Sequence, residues 1–123
     1  TMLDYSTSLI KHLDNSKLIL ADSTGNVLTS FFTNTPIQIV GTITNTQTFE
    51  QKFIYFIQVK DENNVVVHLS WIQSEISPNQ NFDISQSWTP KNSGTYHVNT
   101  YVWESMSDPI SLAPILSVSL FVE

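Results

Sequence analysis

The sequence predicts an all-β fold, an immunoglobulin-like antiparallel β-sandwich of seven to eight strands with an N-terminal extension strand. Three observations carry that reading. Apolar residues recur with a period of two along most of the chain, the signature of strands with one buried face. Clusters of Asn, Asp, Ser, Pro and Gly break the chain at sandwich-like intervals. The third is the segment SWTPKNSGTYHV at residues 87–98, where a strand ending in Trp88 meets a Thr-Pro turn and a new strand opens at Tyr96. Trp88, Pro90, Gly94 and Tyr96 form the expected structural corner between sheets, the Tyr hydroxyl reaching back to upstream backbone. Disulfide-bearing sandwiches carry a Cys two residues after that Tyr, and Val98 stands there instead.

The elements follow in order. Leu18, Ile19 and Leu20 make a short first strand, broken at residues 22–26 and resumed over residues 27–32. Pro36 opens a strand with Ile37, Ile39, Gly41 and Ile43 inward. Residues 53–59 are nearly continuous apolar, as in a central strand covered on both sides. Asp61, Glu62, Asn63 and Asn64 have hairpin-turn chemistry, and a strand over residues 65–72 follows. Phe82, Ile84 and Trp88 mark the next inward face. The strand over residues 95–104 sets Tyr96, Val98, Thr100 and Val102 on one side and His97, Asn99, Tyr101 and Trp103 on the other. Leu116, Val118, Leu120 and Val122 alternate cleanly at the end.

Residues 1–16 stand apart from the sandwich of residues 17–123. Leu3, Tyr5, Leu9 and Leu13 share one face of an extended strand, with Ile10 beside them. A helix fits more loosely, because Thr, Ser and Tyr are weak helix formers.

Composition narrows the function classes. The chain has 123 residues, enough for one domain with a single core. Only 13% is charged, against roughly 25% in ordinary soluble domains. Five Lys, no Arg and a net charge of −6 leave no basic stripe, which excludes nucleic acid as a partner. The absence of Cys rules out disulfides, thiolate-ligated metals and thiol catalysis. No apolar run reaches the roughly 20 residues of a membrane span, so no membrane insertion of the mature chain is expected. The expected destination of the mature chain is extracellular or the cell surface, its signal peptide having been removed on export. No Asn sits in an Asn-X-Ser/Thr sequon.

Three segments, FIYFIQVKDENNVVVHLSWI from Phe53, SWTPKNSGTYHV from Ser87 and YVWESMSDPISLAP from Tyr101, resemble a known family. They are similar to immunoglobulin-like modules in predicted surface proteins of ammonia-oxidising archaea. The likeness covers about residues 18–123 and rests on the Trp-Thr-Pro corner and on Val102, Trp103, Glu104 and Ser105. It implies a surface module without known catalytic residues, of a kind often present in several copies per chain.

Candidate sites are sparse. His12, His68 and His97, with Met106, invite a copper or zinc reading, but they lack a Cys thiolate and a ligand spacing. The turn at residues 61–64 offers oxygens without the alternation of a calcium loop, and Glu104 with Asp108 is a second weak cation candidate. Lys17, Lys52 and Lys60 are candidates for an isopeptide link that no pattern selects. No catalytic residues, metal site or cofactor are expected, since no nucleophile elbow or carboxylate pair is apparent. Trp71, Tyr101 and Trp103 are either core rings or an exposed row for a ligand or interface.

The expected function is therefore structural: a subunit of a pilus-like or thread-like extracellular filament. Its partners are copies of itself in a head-to-tail homopolymer, each donating Leu3, Tyr5, Leu9, Ile10 and Leu13 as a strand to the next. The alternative is an adhesion or carbohydrate-binding module of immunoglobulin-like fold.

Overall fold

The computed structural model describes residues 13–105, 107 and 110–123, without the side chain of Ser16. Seven strands are present among the described residues: β1 (Leu13–Ala21), β2 (Ile37–Asn45), β3 (Gln51–Asp61), β4 (Val66–Ile76), β5 (Asn81–Trp88), β6 (Gly94–Trp103) and β7 (Leu116–Val122). They form two sheets, β1-β2-β5 and β4-β3-β6-β7, with every neighbouring pair antiparallel. Across the sandwich β1 approaches β7, and β4 approaches β5. The immunoglobulin-like sandwich expected from the period-two pattern is thus the fold.

β2 shows why the pattern was readable. Ile37, Ile39, Gly41, Ile43 and Asn45 are buried, and the residues between them are half-buried. Such strict alternation fixes register, because a slip of one residue would turn the apolar set outward. β3 instead buries Phe53 through Ile57 without a break, as the continuous apolar run predicts. Asp61 closes the β3–β4 hairpin. Its carboxylate accepts from the backbone N–H groups of Asn63 (2.9 Å) and Val65 (3.0 Å), while Asn64 takes the left-handed φ of 67°.

Three expectations change. β1 starts at Leu13 rather than Leu18, and Leu13 is fully buried in the core of its own sandwich, opposite Asn45. A segment that leaves the domain must therefore end before Leu13. Leu3, Tyr5, Leu9 and Ile10 lie outside the described residues. Residues 27–32 do not form a strand. They meet the sheets through isolated bridges, Ala21 to Val27 and Phe31 to Val122, through a bond from the Leu28 N–H to the Leu20 carbonyl and through the packing of Leu28 and Phe31 on the core, while Pro36 and the Ser and Thr around Phe32 give no alternating face. β4 runs to Ile76, longer than its turn signals suggest.

One end of the sandwich is tied by a buried amide. Asn45 donates through Nδ2 to the carbonyls of Phe49 (2.8 Å) and Ile76 (2.9 Å), and its Oδ1 accepts from the Gln47 N–H (3.0 Å). These bonds lock the β2–β3 connection onto the end of β4. A buried side-chain amide is tolerated only when its groups are paired in this way.

Candidate functional site

The outer face of the four-stranded sheet carries the chain's most distinctive chemistry. Odd-numbered residues of β3 point into the sandwich, so Ile54, Phe56, Gln58 and Lys60 face away from it. Antiparallel pairing sets Trp71 of β4 and Tyr101 of β6 on either side of Phe56, and Trp103 beside Ile54. Period-two geometry then gathers these side chains on one surface.

Phe56 is the hub. Its ring centroid lies 4.6 Å from that of Trp103 and 6.0 Å from that of Trp71. Tyr101 and Trp103 follow at 6.1 Å. These separations fall in the range of favourable tilted and edge-to-face ring pairs. Phe56 is 6% exposed and Ile54 fully buried, whereas Trp71 is 48% exposed. Rather than filling the main core or standing free, the rings form a small second core with one open side. Phe56, Gln58, Leu69, Tyr101 and Trp103 line a shallow cavity of about 340 Å³. The Tyr101 hydroxyl donates to Gln58 Oε1 at 3.2 Å, which fixes the amide and turns its NH₂ away from that bond. Towards β7 the face turns polar, with Ser117 donating to Asn99 Oδ1 (2.6 Å) and His97 Nδ1 beside Ser119 Oγ (2.8 Å).

β4 borders this surface and is an edge of its sheet. Residues 65–74 contain no Lys, Asp or Glu, and Val65, Val66, Val67, Leu69 and Trp71 are all exposed. Long apolar edges are rare in proteins that do not pair them, because a free row of N–H and C=O groups templates strand addition. Phe56, Gln58, Leu69 and the valines of β4 escaped the sequence reading. Residues 53–59 read as buried on both sides, with no signal for what covers the outer one.

The corner lies between β5 and β6. Tyr96 Oη donates to the Asn92 carbonyl at 2.7 Å, and the Trp88 and Tyr96 rings meet edge-on at 5.0 Å. Pro90 is buried and its carbonyl accepts from the Asn34 N–H at 2.7 Å. Gly94 has a φ of 138°, a conformation that side chains rarely adopt. Val98, in the place of a disulfide Cys, is fully buried.

The remaining candidates are scattered. His97 is exposed on β6, and His68 is half-buried on β4 with its Nε2 lacking a hydrogen-bond partner, burial holding its pKa below the usual histidine value. His12, Met106 and Asp108 lie outside the described residues. Among the described residues no three His, Asp or Glu side chains converge on a metal position. The Asp61 carboxylate is engaged by its own turn. Lys17 and Lys52 are exposed and Lys60 is half-buried, so none lies in the core where an isopeptide link forms without competing water.

A family model described as SlaA-like, S-layer A-like, matches residues 6–119. None of the curated proteins compared with the chain matches it. Among solved structures the chain is similar to the C-terminal domain of Wzt, with a TM-score of 0.74 and 11% identity over 92% of this chain and 74% of that one. It is also similar to the CARDB domain of a Pyrococcus furiosus protein solved with di-metal ions, with a TM-score of 0.59 and 12% identity over 89% of each chain. A β-glucuronidase of glycoside hydrolase family 2 matches with a TM-score of 0.70 and 13% identity over 89% of this chain. The chain spans only 12% of that enzyme's length. At such identities the likeness is one of fold, and a fold of this kind hosts many functions.

Proposed function

The chain belongs to the S-layer A-like family, and from that premise we propose that it is a structural module of a cell-surface protein that joins copies of itself by strand addition. The observation that carries the reading is the family match over residues 6–119. The finer part, a filament or layer built by the segment before Leu13 pairing with a neighbouring sandwich, is supported by the apolar parity of Leu3, Tyr5 and Leu9 and by the open β4 edge. Main-chain hydrogen bonds would supply the affinity and alternate side chains the register. Such a contact uses two different surfaces and so propagates as an open array. The motifs shared with surface-protein modules of ammonia-oxidising archaea, at residues 88–90 and 102–105, support the same location. An exported structural module needs no catalytic groups, and the family supports a structural role over an enzymatic one.

The test is assembly. Electron microscopy of the purified chain at rising concentration should show ordered fibres or sheets, and removal of residues 1–12 should leave monomers. Fibres that persist after that removal would exclude strand donation while leaving the surface role standing.

One observation favours a second reading. The cavity of about 340 Å³ between Tyr101, Trp103, Phe56 and the fixed Gln58 amide has the apolar walls and single polar handle that stack and orient a neutral sugar ring. Titration with neutral oligosaccharides should quench the tryptophan fluorescence if this reading holds, and Trp103→Ala should remove the response. A flat titration rejects it.

A further inference from the structure

We propose that β4 is the edge on which a neighbouring copy seats residues 1–12 as an added strand. The proposal rests on the structural reading above and names the surface which that reading needs. The sandwich has four edge strands, and they differ in what they leave open. On the side where β1 meets β7, the chain covers itself. Leu28 N–H donates to the Leu20 carbonyl of β1 (2.9 Å), Leu13 N–H donates to Leu112 (2.9 Å), and Glu123 N–H beyond β7 donates to Phe31 (2.9 Å). The connection through residues 27–33 thus covers the Leu20 end of β1 and the Val122 end of β7.

The other side, where β4 meets β5, is open. Among the described residues, β4 makes no backbone hydrogen bond from Val66 to Glu75 beyond its ladder with β3. β5 is also unpaired on its outer rim, but it is 8 residues long and polar on its exposed face, where Asp83 accepts from Thr42 and Asn81 from Thr44. β4 has 11 residues, no charge before Glu75, and exposed Val66, Val67, Leu69 and Trp71. Short, charged edges resist pairing and long apolar ones invite it.

The unmet groups on β4 are main-chain N–H and C=O, so the occupant is an extended peptide and not a sugar or a detached apolar ligand. The matching peptide on this chain is the run before β1. Its length at about 3.3 Å per residue suffices to line the whole of β4. Leu3, Tyr5 and Leu9 fall on one side of it by parity, fit to prolong the apolar row of Leu69 and Trp71, and its charges are few: Asp4 and Lys11. It leaves the sandwich from β1, on the side opposite β4. Pairing with β4 of another copy therefore needs no crossing of its own domain, and donor side and acceptor side lie on opposite flanks. That arrangement is head-to-tail, and repetition extends it without closing.

The chain has no native Cys, so engineered thiols report contacts without interference. Full-length Thr7→Cys is mixed under mild oxidation with full-length Gln73→Cys (exposed on β4) or Ser85→Cys (exposed on β5). The expected result is at least a tenfold excess of cross-linked heterodimer with Gln73→Cys over Ser85→Cys, and a tenfold loss when Leu69→Lys is added to the β4 partner. Preferred linkage to Ser85→Cys, or self-linkage of Gln73→Cys by symmetric pairing of two β4 edges, overturns the assignment to β4 while self-association stands. No linkage in any mixture, from a sample that sediments as monomer, removes the parent reading as well. No linkage from a sample that still assembles overturns the β4 proposal alone.

Discussion

The Tyr55 hydroxyl of β3 occupies the space in which a β-carbon on Gly41 of β2 would stand, with Tyr55 Cζ 2.9 Å from that position. The two sheets meet at this point through a ring on one and bare backbone on the other. The Tyr55 oxygen is buried without a partner in hydrogen-bond geometry. Burial pushes its pKa above the ordinary tyrosine value, and the nearby Thr100 hydroxyl offsets that only in part.

Gly41→Ala is expected to destabilise the sandwich by about 1–3 kcal/mol, the usual cost of overpacking a core. Tyr55→Phe removes the obstructing oxygen, and the unpaired polar group with it, at little cost. The double variant should recover part of the loss, because the ring Cζ still stands 2.9 Å from the added carbon. Urea unfolding of the two single variants and the pair measures this coupling, and strictly additive losses would contradict the steric account.

Tyr96→Phe deletes the 2.7 Å bond to the Asn92 carbonyl while keeping the ring contact with Trp88. A loss of about 1 kcal/mol is expected for one such bond, seen as a lower urea midpoint with unchanged slope. Trp88→Ala removes a large core side chain and should cost about 3–5 kcal/mol.

Asn45→Leu should lower stability by about 3 kcal/mol although it adds apolar bulk. It strands the buried carbonyl of Ile76 and the part-buried one of Phe49, two acceptors that lose their donor. Thermal unfolding checks this, and hydrogen exchange should show the amides of residues 46–50 losing protection first.

Two ionisable groups give opposite pH signatures. Burial depresses the pKa of folded His68, so its contribution is present above the ordinary histidine value of 6.5 and lost as pH falls through the folded value. His68→Gln should flatten the stability profile on the acid side of pH 6.5. Glu50 lies beside Glu75, whose hydrogen bond and charge raise the Glu50 pKa. Its contribution is therefore present below the ordinary value of 4.5 and lost as pH rises through the raised one. Glu75→Gln should stabilise the chain at pH 7 and leave it unchanged at pH 4, as urea titrations at both values will show.

Local chemistry determined much of this protein directly. The alternation of Ile37, Ile39 and Ile43, the Asp61 turn and the corner from Trp88 to Tyr96 are set by neighbours in sequence, so residue order alone specifies them. The missing Cys and the sparse charge likewise removed whole function classes without reference to shape. Tertiary structure alone decided the rest. β3 is apolar on both faces, and period two identifies two faces without saying which one a second sheet covers. Phe56 as hub of an outer aromatic surface, Leu13 in the domestic core, and β4 as the open edge each depend on which strands sit side by side. Those partners come from parts of the chain far apart, and the hydrogen bonds that join them carry no mark in any local stretch of residues.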